Sequence, residues 1–439
     1  MGFREAVPAS LQEILQNGLL DRTFEDALQP ALVYDSLAEV KPWSGAVGST
    51  GIFTKSGLMT PNTTPVTGQD ATASTYGFEQ YQVKMDQYAG SIDTNMLLSA
   101  MSLASKFLED NKLLAIQAAQ SINLLAQGAL YGAAGEGQTW VTTASTTSTA
   151  LIVNDATGFQ YAVTDLATTG SNAAEGLTGA ATPTLVPVSA STPLNVTING
   201  VANTVIGVDV ATSTLTLGTA ISATPGWSVI SSISSVQIRP NARATGNAIT
   251  SSDLATLSLF TAAVTRLRTM NVPRIRGAYT AHVSPQTVEE LFQDGNFLLA
   301  YRGRGDSPAY RDFTPGDSMG DGGEFMGRFS GIDWVMNTVT PTYTNLGGVE
   351  VYRPIVSGAG ALVKAPFSEM ADLLSAMSAG STVQVDMVAG VVRILRAPLD
   401  RLGQVLTSTW SWVGGYTVGT DLLTGDSAAY KRSVVLEHA

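Results

Sequence analysis

The sequence predicts an α+β fold with an all-β unit inserted between helical elements. Three observations support this prediction. A stretch rich in Gly, Thr and Ser indicates a two-stranded ribbon, the longest helical pattern in the chain follows it, and the composition then changes sharply between residues 138 and 235. At 439 residues, the chain is long enough for two or three packed units of ordinary domain size.

The predicted ribbon lies within residues 43–90. Segments 52–54 and 76–83 have the composition of strands, and Pro61 and Pro65 interrupt the stretch between them. A two-stranded ribbon on its own is only marginally stable in water. We therefore expect the ribbon to lie on another molecule or another domain.

A long helix is predicted to begin at Asp93 or Thr94, either of which can cap it, and to end near Tyr131. About 35 residues of helix would span roughly 50 Å, which is longer than a compact domain needs. The apolar residues that recur at three- and four-residue steps are Leu97, Met101, Ala104, Leu108, Leu114, Ala118, Ile122, Leu125 and Ala129.

The segment after this helix predicts a self-contained all-β unit. No basic residue lies between Lys112 and Arg239, and β-branched apolar residues alternate with polar ones in 194–198 and 214–217. Asn199-Gly200 is a strong hairpin signal. Because the apolar residues are regularly spaced, a low-complexity linker is the weaker interpretation.

Mixed α/β character returns after Arg239. Ser252 is predicted to cap a helix that reaches Leu267, and Ser284-Pro285 is predicted to begin another. A loop rich in Gly, Asp and Arg is expected over 303–331. Strands are predicted at 279–283, 332–337, 349–354, 383–388 and 391–397.

The composition disfavours most enzymes. Cysteine is absent, which excludes disulfides and thiolate metal sites, and two histidines cannot form a multi-histidine metal centre. The net charge of -12 argues against a protein dedicated to binding phosphate backbones. Only 14% of the residues are charged, so we expect large protein–protein contacts. We expect neither a signal peptide nor a membrane segment, and hence a protein made in a cytoplasm.

No candidate chemical site outweighs a structural interpretation. His282 lies in a predicted strand without a nucleophile motif, so a structural or hydrogen-bonded histidine is favoured over a hydrolase. Acidic residues of the loop, such as Asp306, do not follow the EF-hand spacing, and arginines alternate with them. The glycines there match no phosphate-binding motif. We therefore predict no catalytic residue, no cofactor and no metal.

Taken in order, these elements resemble an HK97-type major capsid protein of a tailed bacteriophage. The resemblance includes the strand–proline–helix segment 279–291 and the closing segments Val391–Arg396 and 429–438. It implies the following units: an N-terminal arm (1–41), an extended loop (42–90), the spine helix of a peripheral domain (91–137), an inserted all-β domain (138–240), an axial domain (241–388) and C-terminal strands of the peripheral domain (389–439).

The resemblance implies a shell protein that assembles into hexamers and pentamers around double-stranded DNA, without sequence-specific binding and without a membrane. Separate scaffolding, portal and decoration proteins are further candidate partners. The protein would be assembled in the host cytoplasm and would reside in the virion. The candidate subunit-contact residues are Phe53, Lys55, Tyr76 and Phe78 in the extended loop and Arg302, Arg304, Asp306 and Arg311 at the capsomer centre.

Two features depart from the family pattern. The unit 138–240 is not part of the minimal fold, and no long charged helical segment precedes the arm as a fused scaffold. Lys55 lies in the region where some family members form a cross-link to an asparagine, but nothing in the sequence identifies a partner. The alternative function is a secreted β-rich adhesion or ligand-binding protein, which would need an export signal.

Overall fold

A computed structural model gives the fold of the chain. It describes residues 24, 33–42, 50–56, 63, 65, 78–95, 106–134, 137–164, 184–302, 324–367, 383–388, 390–396, 404–421 and 432–439. The α-helices whose bounds the structure gives are α1 (Lys106–Ala134), α2 (Leu257–Thr269), α3 (Pro285–Gln293) and α4 (Gly295–Arg302).

The strands of the described part form three six-stranded sheets and three two-stranded ones. In chain order they are β1 (Ala38–Val40), β2 (Thr50–Ser56), β3 (Phe78–Lys84), β4 (Asp86–Asn95), β5 (Gln138–Trp140), β6 (Ser145–Ile152), β7 (Tyr161–Thr164), β8 (Thr184–Pro187), β9 (Leu194–Ile198), β10 (Val201–Asp209), β11 (Thr214–Ala223), β12 (Ser228–Ser231), β13 (Gln237–Ile238), β14 (Tyr279–Val283), β15 (Glu324–Phe329), β16 (Ile332–Met336), β17 (Thr342–Thr344), β18 (Glu350–Tyr352), β19 (Ile355–Ser357), β20 (Leu362–Pro366), β21 (Val383–Val388), β22 (Val391–Arg396), β23 (Val405–Thr417) and β24 (Ser433–Leu436).

The long strand β23 organises the first six-stranded sheet. The strand order is β1-β20-β23-β22-β21, and β4 also pairs with β23. Strand β4 is antiparallel to β23 along its whole length, from Asp86 opposite Gly414 to Asn95 opposite Val405. Helix α1 packs against both strands. The buried residues of this cluster are Phe24, Leu114, Ala115, Ala118, Ala119, Ile122, Val388, Val391, Trp410 and Trp412.

The predicted start of the long helix is wrong. Asp93 and Thr94 belong to strand β4, and the described helix begins at Lys106. The reason is the partner strand: β4 forms a continuous ladder with β23, and such tertiary pairing outweighs local helix propensity. The Thr94 hydroxyl donates a 2.7 Å hydrogen bond to the Asp110 carboxylate in the first turns of α1, so it links strand and helix instead of capping.

Helix α1 is long and apolar enough to cross a membrane by length and composition alone. Half of that apolar stretch is buried inside the protein, as in the core helix of a soluble fold. Its C-terminal part, with Ala126, Leu130 and Ala134, joins one hydrophobic cluster with the sheet that follows it in the chain.

The second six-stranded sheet closes into a barrel. Its order is β5-β12-β9-β10-β11-β6, and a bridge between Val141 and Val153 brings the two end strands together. The predicted Asn199-Gly200 hairpin is confirmed, since both residues have positive φ between β9 and β10. The barrel is filled by the buried side chains of Leu151, Val153, Leu194, Val196, Ile198, Val205, Leu215, Leu217, Ala223 and Val229.

The third six-stranded sheet has the order β13-β24-β19-β14-β16-β15. The helix predicted after Ser284 is confirmed: the Ser284 side chain accepts from the Thr287 N–H, and Pro285 is the first helical residue. Helix α2 begins at Leu257, not near Ser252, because Ser252 lies in a turn that precedes it. Phe260, Trp334 and Phe297 lie in the hydrophobic cluster of this sheet.

Strand β24, near the C-terminal end of the chain, is an inner strand of this sheet and lies between β13 and β19. Glu437 and His438 follow it and are buried. His438 Nδ1 lies 2.9 Å from the Glu290 carboxylate, and Nε2 lies 2.8 Å from the Thr287 hydroxyl. The last residues therefore connect strand β24 to helix α3.

Candidate assembly surface

The ribbon predicted from the sequence consists of strands β2 and β3. The two strands form a separate two-stranded sheet that is not part of the three large sheets. The antiparallel register runs from Thr50 opposite Lys84 to Ser56 opposite Phe78. Because side chains alternate along a strand, the ribbon has an inner face toward the body of the chain and an outer face toward solvent.

The inner face of the ribbon holds an aromatic pair and a cation. The rings of Phe53 and Tyr81 lie 5.7 Å apart. Lys41 Nζ lies 5.6 Å from the Phe53 ring centroid and donates a 3.0 Å hydrogen bond to the Tyr81 hydroxyl. The distance to Phe53 is that of a cation–π contact, so Phe53 contacts its own chain through this face.

Lys55 also faces the body of its own chain. Its ammonium group forms an ion pair with the Asp421 carboxylate and donates a 3.1 Å hydrogen bond to the Thr420 carbonyl. The other Asp421 oxygen lies 3.4 Å from Arg432 Nε. Asp421 is almost completely buried, with 3% of its side chain exposed, so one carboxylate joins the ribbon to the end of β23 and the start of β24.

The ribbon crosses β23 at Gly415. A Cβ on Gly415 would collide with the Lys84 carbonyl, whereas a Cβ on the preceding Gly414 would lie 2.8 Å from the Ala365 carbonyl of β20. The Thr417 hydroxyl donates a 3.0 Å hydrogen bond to the Gln82 carbonyl at the same crossing. Glycine is thus required where the two backbones approach.

The outer face of the ribbon is available for contact with another molecule. Among the side chains that the structure describes on this face, the one large apolar side chain is that of Ile52, which is 55% exposed. The polar residues of this face that are exposed are Thr50, Thr54, Gln80, Gln82 and Lys84. A mixed face of this kind is typical of non-obligate protein interfaces.

Several sequence-predicted contact residues fall outside what the structure describes. Tyr76, Arg304, Asp306 and Arg311 lie outside the described residues. For two more, only the backbone is described. Phe78 begins strand β3, and Arg302 ends helix α4. The predictions for these six residues therefore remain predictions.

Near Arg302, the helix pair α3 and α4 exposes apolar surface. Leu299 is 72% exposed, and Phe292 lies beside Phe297, with ring centroids 5.3 Å apart. In the sequence these residues shortly precede the loop 303–331, which is expected to lie at the capsomer centre.

A buried ionic cluster was missed by sequence reasoning. Glu437 lies 2.6 Å from Arg239 Nε and 3.2 Å from Arg353 Nε. Burial alone would raise the pKa of the Glu437 carboxyl, but the two guanidinium groups hold it below its ordinary value. No sequence signal identifies this cluster, since Arg239 and Glu437 are 198 positions apart.

Within the described ranges, no group of three or more His, Asp or Glu side chains could hold a metal ion. His282 is buried, and neither ring nitrogen has a hydrogen-bond partner among the described residues. His282 is therefore a core residue among the described side chains, and its surroundings there indicate no catalytic role.

Comparison with known proteins gives matches of structure but not of sequence. No protein-family model matches the chain, and no curated protein matches it. The capsid of Ralstonia phage GP4 is similar to the chain with a TM-score of 0.52 and 12% identity, over 92% of this chain and 87% of that one. The capsid of the cyanophage P-SCSP1u has a TM-score of 0.46 and 12% identity, with 94% and 89% covered.

The likeness to the GP4 capsid spans nearly the whole of both chains. The chain therefore has the fold of a phage capsid protein, as the resemblance in the sequence implied. The division into arm, extended loop, peripheral, inserted and axial units stays a prediction.

Proposed function

We propose that the chain is the major capsid protein of a tailed phage. In this proposal it assembles into hexamers and pentamers of an icosahedral shell that encloses double-stranded DNA, and it resides in the virion. The observation that carries the proposal is the match to the GP4 capsid over 92% of the chain. The role is structural, and no residue acts as a catalyst.

The ribbon supports this proposal physically. Its inner face is held by Lys41 and Asp421 of the same chain, while its outer face exposes Ile52 and polar groups. A two-stranded element gains stability when it packs on a larger surface. In a shell that surface belongs to a neighbouring copy, which makes the outer face the principal contact between subunits.

The charge of the chain is also suited to a shell. A fraction of 14% charged residues leaves much of the surface free for interfaces. A net charge of -12 does not retain DNA of the same sign on an inner surface. No observation on the described residues favours the alternative of a secreted adhesion or ligand-binding protein.

Electron microscopy with negative stain tests the proposal. The protein is expressed alone and together with its candidate scaffolding protein, and each sample is then sedimented and imaged. We expect closed shells or hexameric capsomers in at least one sample. A small monodisperse species in both samples would contradict the proposal.

A further inference from the structure

A cavity of about 280 Å³ lies where the ribbon meets the body of the chain. This is close to the lower limit of small-molecule pockets, about 300 Å³, and leaves room for an acidic side chain with water. The residues that line it are Glu39, Lys41, Thr54, Lys55, Tyr81, Gly360, Val363, Gly419 and Arg432.

Three cationic side chains converge on this cavity and retain donors. Lys41 donates to the Tyr81 hydroxyl and lies 3.8 Å from a Glu39 carboxylate oxygen, and Lys55 donates to Thr420 and Asp421. Arg432 Nη1 donates a 3.2 Å hydrogen bond to the Ala359 carbonyl. An ammonium group has three N–H donors and a guanidinium group has five. The described partners therefore leave N–H groups of each cation available to a further acceptor.

The cavity is positive within a negative protein. Lys41, Lys55 and Arg432 stand against two carboxylates, Glu39 and Asp421, which leaves one net positive charge. The whole chain carries -12. A local positive site on a negative molecule attracts the acidic surface of another copy and orients it.

The cations are held in place before any ligand binds. The ammonium group of Lys41 lies 5.6 Å from the centroid of the Phe53 ring and donates to the Tyr81 hydroxyl. The Arg432 guanidinium occupies the space that a Cβ on Gly360 would fill, and its Nη1 is held there by the hydrogen bond to the Ala359 carbonyl. Such preorganisation lowers the entropic cost of binding.

We propose that this cavity binds the carboxylate of an Asp or Glu side chain from a second copy of the chain. The inference rests on the proposed function, because it assigns a specific contact to the base of the ribbon. A carboxylate is the ligand that a guanidinium group and two ammonium groups recognise with charge-assisted hydrogen bonds.

The first test compares Lys41→Gln with Lys112→Gln. Lys112 lies on helix α1, outside the ribbon, and is exposed. We expect Lys41→Gln to raise the critical concentration of assembly about tenfold, which is the effect of losing one charge-assisted hydrogen bond. Lys112→Gln should change it less than twofold. Equal effects of the two substitutions would overturn the proposal.

A cryo-electron microscopy map of wild-type shells is the second test. The expected result is an Asp or Glu carboxylate of a neighbouring copy within 4 Å of Lys41 Nζ or the Arg432 guanidinium, the distance range of an ion pair. A cavity that contains only water, or a side chain of its own copy, would overturn the proposal.

A third measurement separates this inference from the proposed function. If the wild-type chain does not assemble, the proposed function fails, and the unassembled chain is titrated with sodium glutarate. The carboxylate site then predicts that glutarate gives a higher midpoint of thermal unfolding than sodium chloride of equal ionic strength, for wild type and Lys112→Gln but not for Lys41→Gln. The same shift in all three proteins would overturn the carboxylate site.

Discussion

His282 occupies a position in β14 where a positive charge would have no stabilising partner among the described residues. Its ring lies 4.8 Å from the Tyr34 ring, and neither ring nitrogen has a hydrogen-bond partner there. Burial lowers the pKa of the imidazole from its ordinary value of 6.5 to about 3. His282 is therefore neutral in the folded protein at neutral and mildly acidic pH.

This lowered pKa makes folding sensitive to acid. Between the ordinary pKa and the folded pKa the unfolded chain binds a proton that the folded chain does not, so the free energy of unfolding falls as the pH falls. The slope from His282 is about 1.4 kcal/mol per pH unit below pH 6.5. The unfolding free energy is measured by urea titration at pH 6 and at pH 5. Its decrease over this interval should be smaller in His282→Leu than in wild type by about 1.4 kcal/mol. Identical slopes in both proteins would contradict the assignment.

Substitution of the buried residue Glu437 should lower the free energy of unfolding strongly. Replacing it with Gln removes the charge that compensates Arg239 and Arg353, of which Arg239 has only 6% of its side chain exposed. Loss of one partner of a buried ion pair costs about 3 kcal/mol, so Glu437→Gln should lower the unfolding free energy by that amount in urea titrations. Glu350→Gln, at an exposed position of β18, is the control and should stay within about 0.5 kcal/mol of wild type.

For single residues, the sequence predicted only features that depend on residues nearby in the chain. For His282, the lack of a nucleophile motif near its predicted strand favoured a structural or hydrogen-bonded histidine over a catalytic one. The partners of Glu437 and the Lys55–Asp421 pair could not be predicted, because the fold brings them together from distant positions. In the latter pair 366 positions separate the two residues.

Among the elements, the ribbon bears most directly on assembly. Ile52 on its outer face and Val201 in the barrel strand β10 are both 55% exposed, which makes them matched positions. Both Ile52→Asp and Val201→Asp should leave stability within about 0.5 kcal/mol, as exposed substitutions do.

Assembly should separate these two variants. We expect Ile52→Asp to prevent formation of shells, because it places a charge in the proposed interface, whereas Val201→Asp should assemble as wild type does. Light scattering during assembly measures the difference. Equal assembly of Ile52→Asp and wild type would contradict the role of the outer face.

Where the ribbon crosses β23, adding a side chain to Gly415 should lower the stability of the chain. Gly415→Ala should destabilise the chain by about 2 kcal/mol or more, because the new Cβ would collide with the Lys84 carbonyl and overpacking carries a cost of this size. Gly128→Ala is the control: it lies in α1 with open space around it and should stabilise by up to about 1 kcal/mol. Urea unfolding of both variants checks the prediction, and a neutral Gly415→Ala would contradict it.

Elements with strong local sequence signals could be predicted. Elements whose conformation depends on a distant partner strand could not. Asn199-Gly200 and Ser284-Pro285 dictate a hairpin and a helix start through their own backbone preferences. Strand β4 was predicted in part as helix, because its strand conformation depends on β23, more than 300 positions later in the chain. Periodicity of apolar residues cannot reveal such a partner.

For the whole molecule, the order of elements was the most informative feature of the sequence. Ribbon, long helix, barrel strands and the strand–proline–helix segment 279–291 occur in the predicted order. What the sequence could not reveal is that the barrel closes through Val141 and Val153, and that strand β24 lies between β13 and β19. Both depend on long-range pairing.

The most direct measurement of the central claim is a cryo-electron microscopy reconstruction of particles assembled from the wild-type chain. The account predicts a closed shell of hexamers and pentamers in which the outer face of each ribbon, with Ile52 at its centre, lies across a neighbouring copy. Particles in which the ribbon contacts only its own chain would contradict that claim, as would a chain that forms no shell with or without its scaffolding protein.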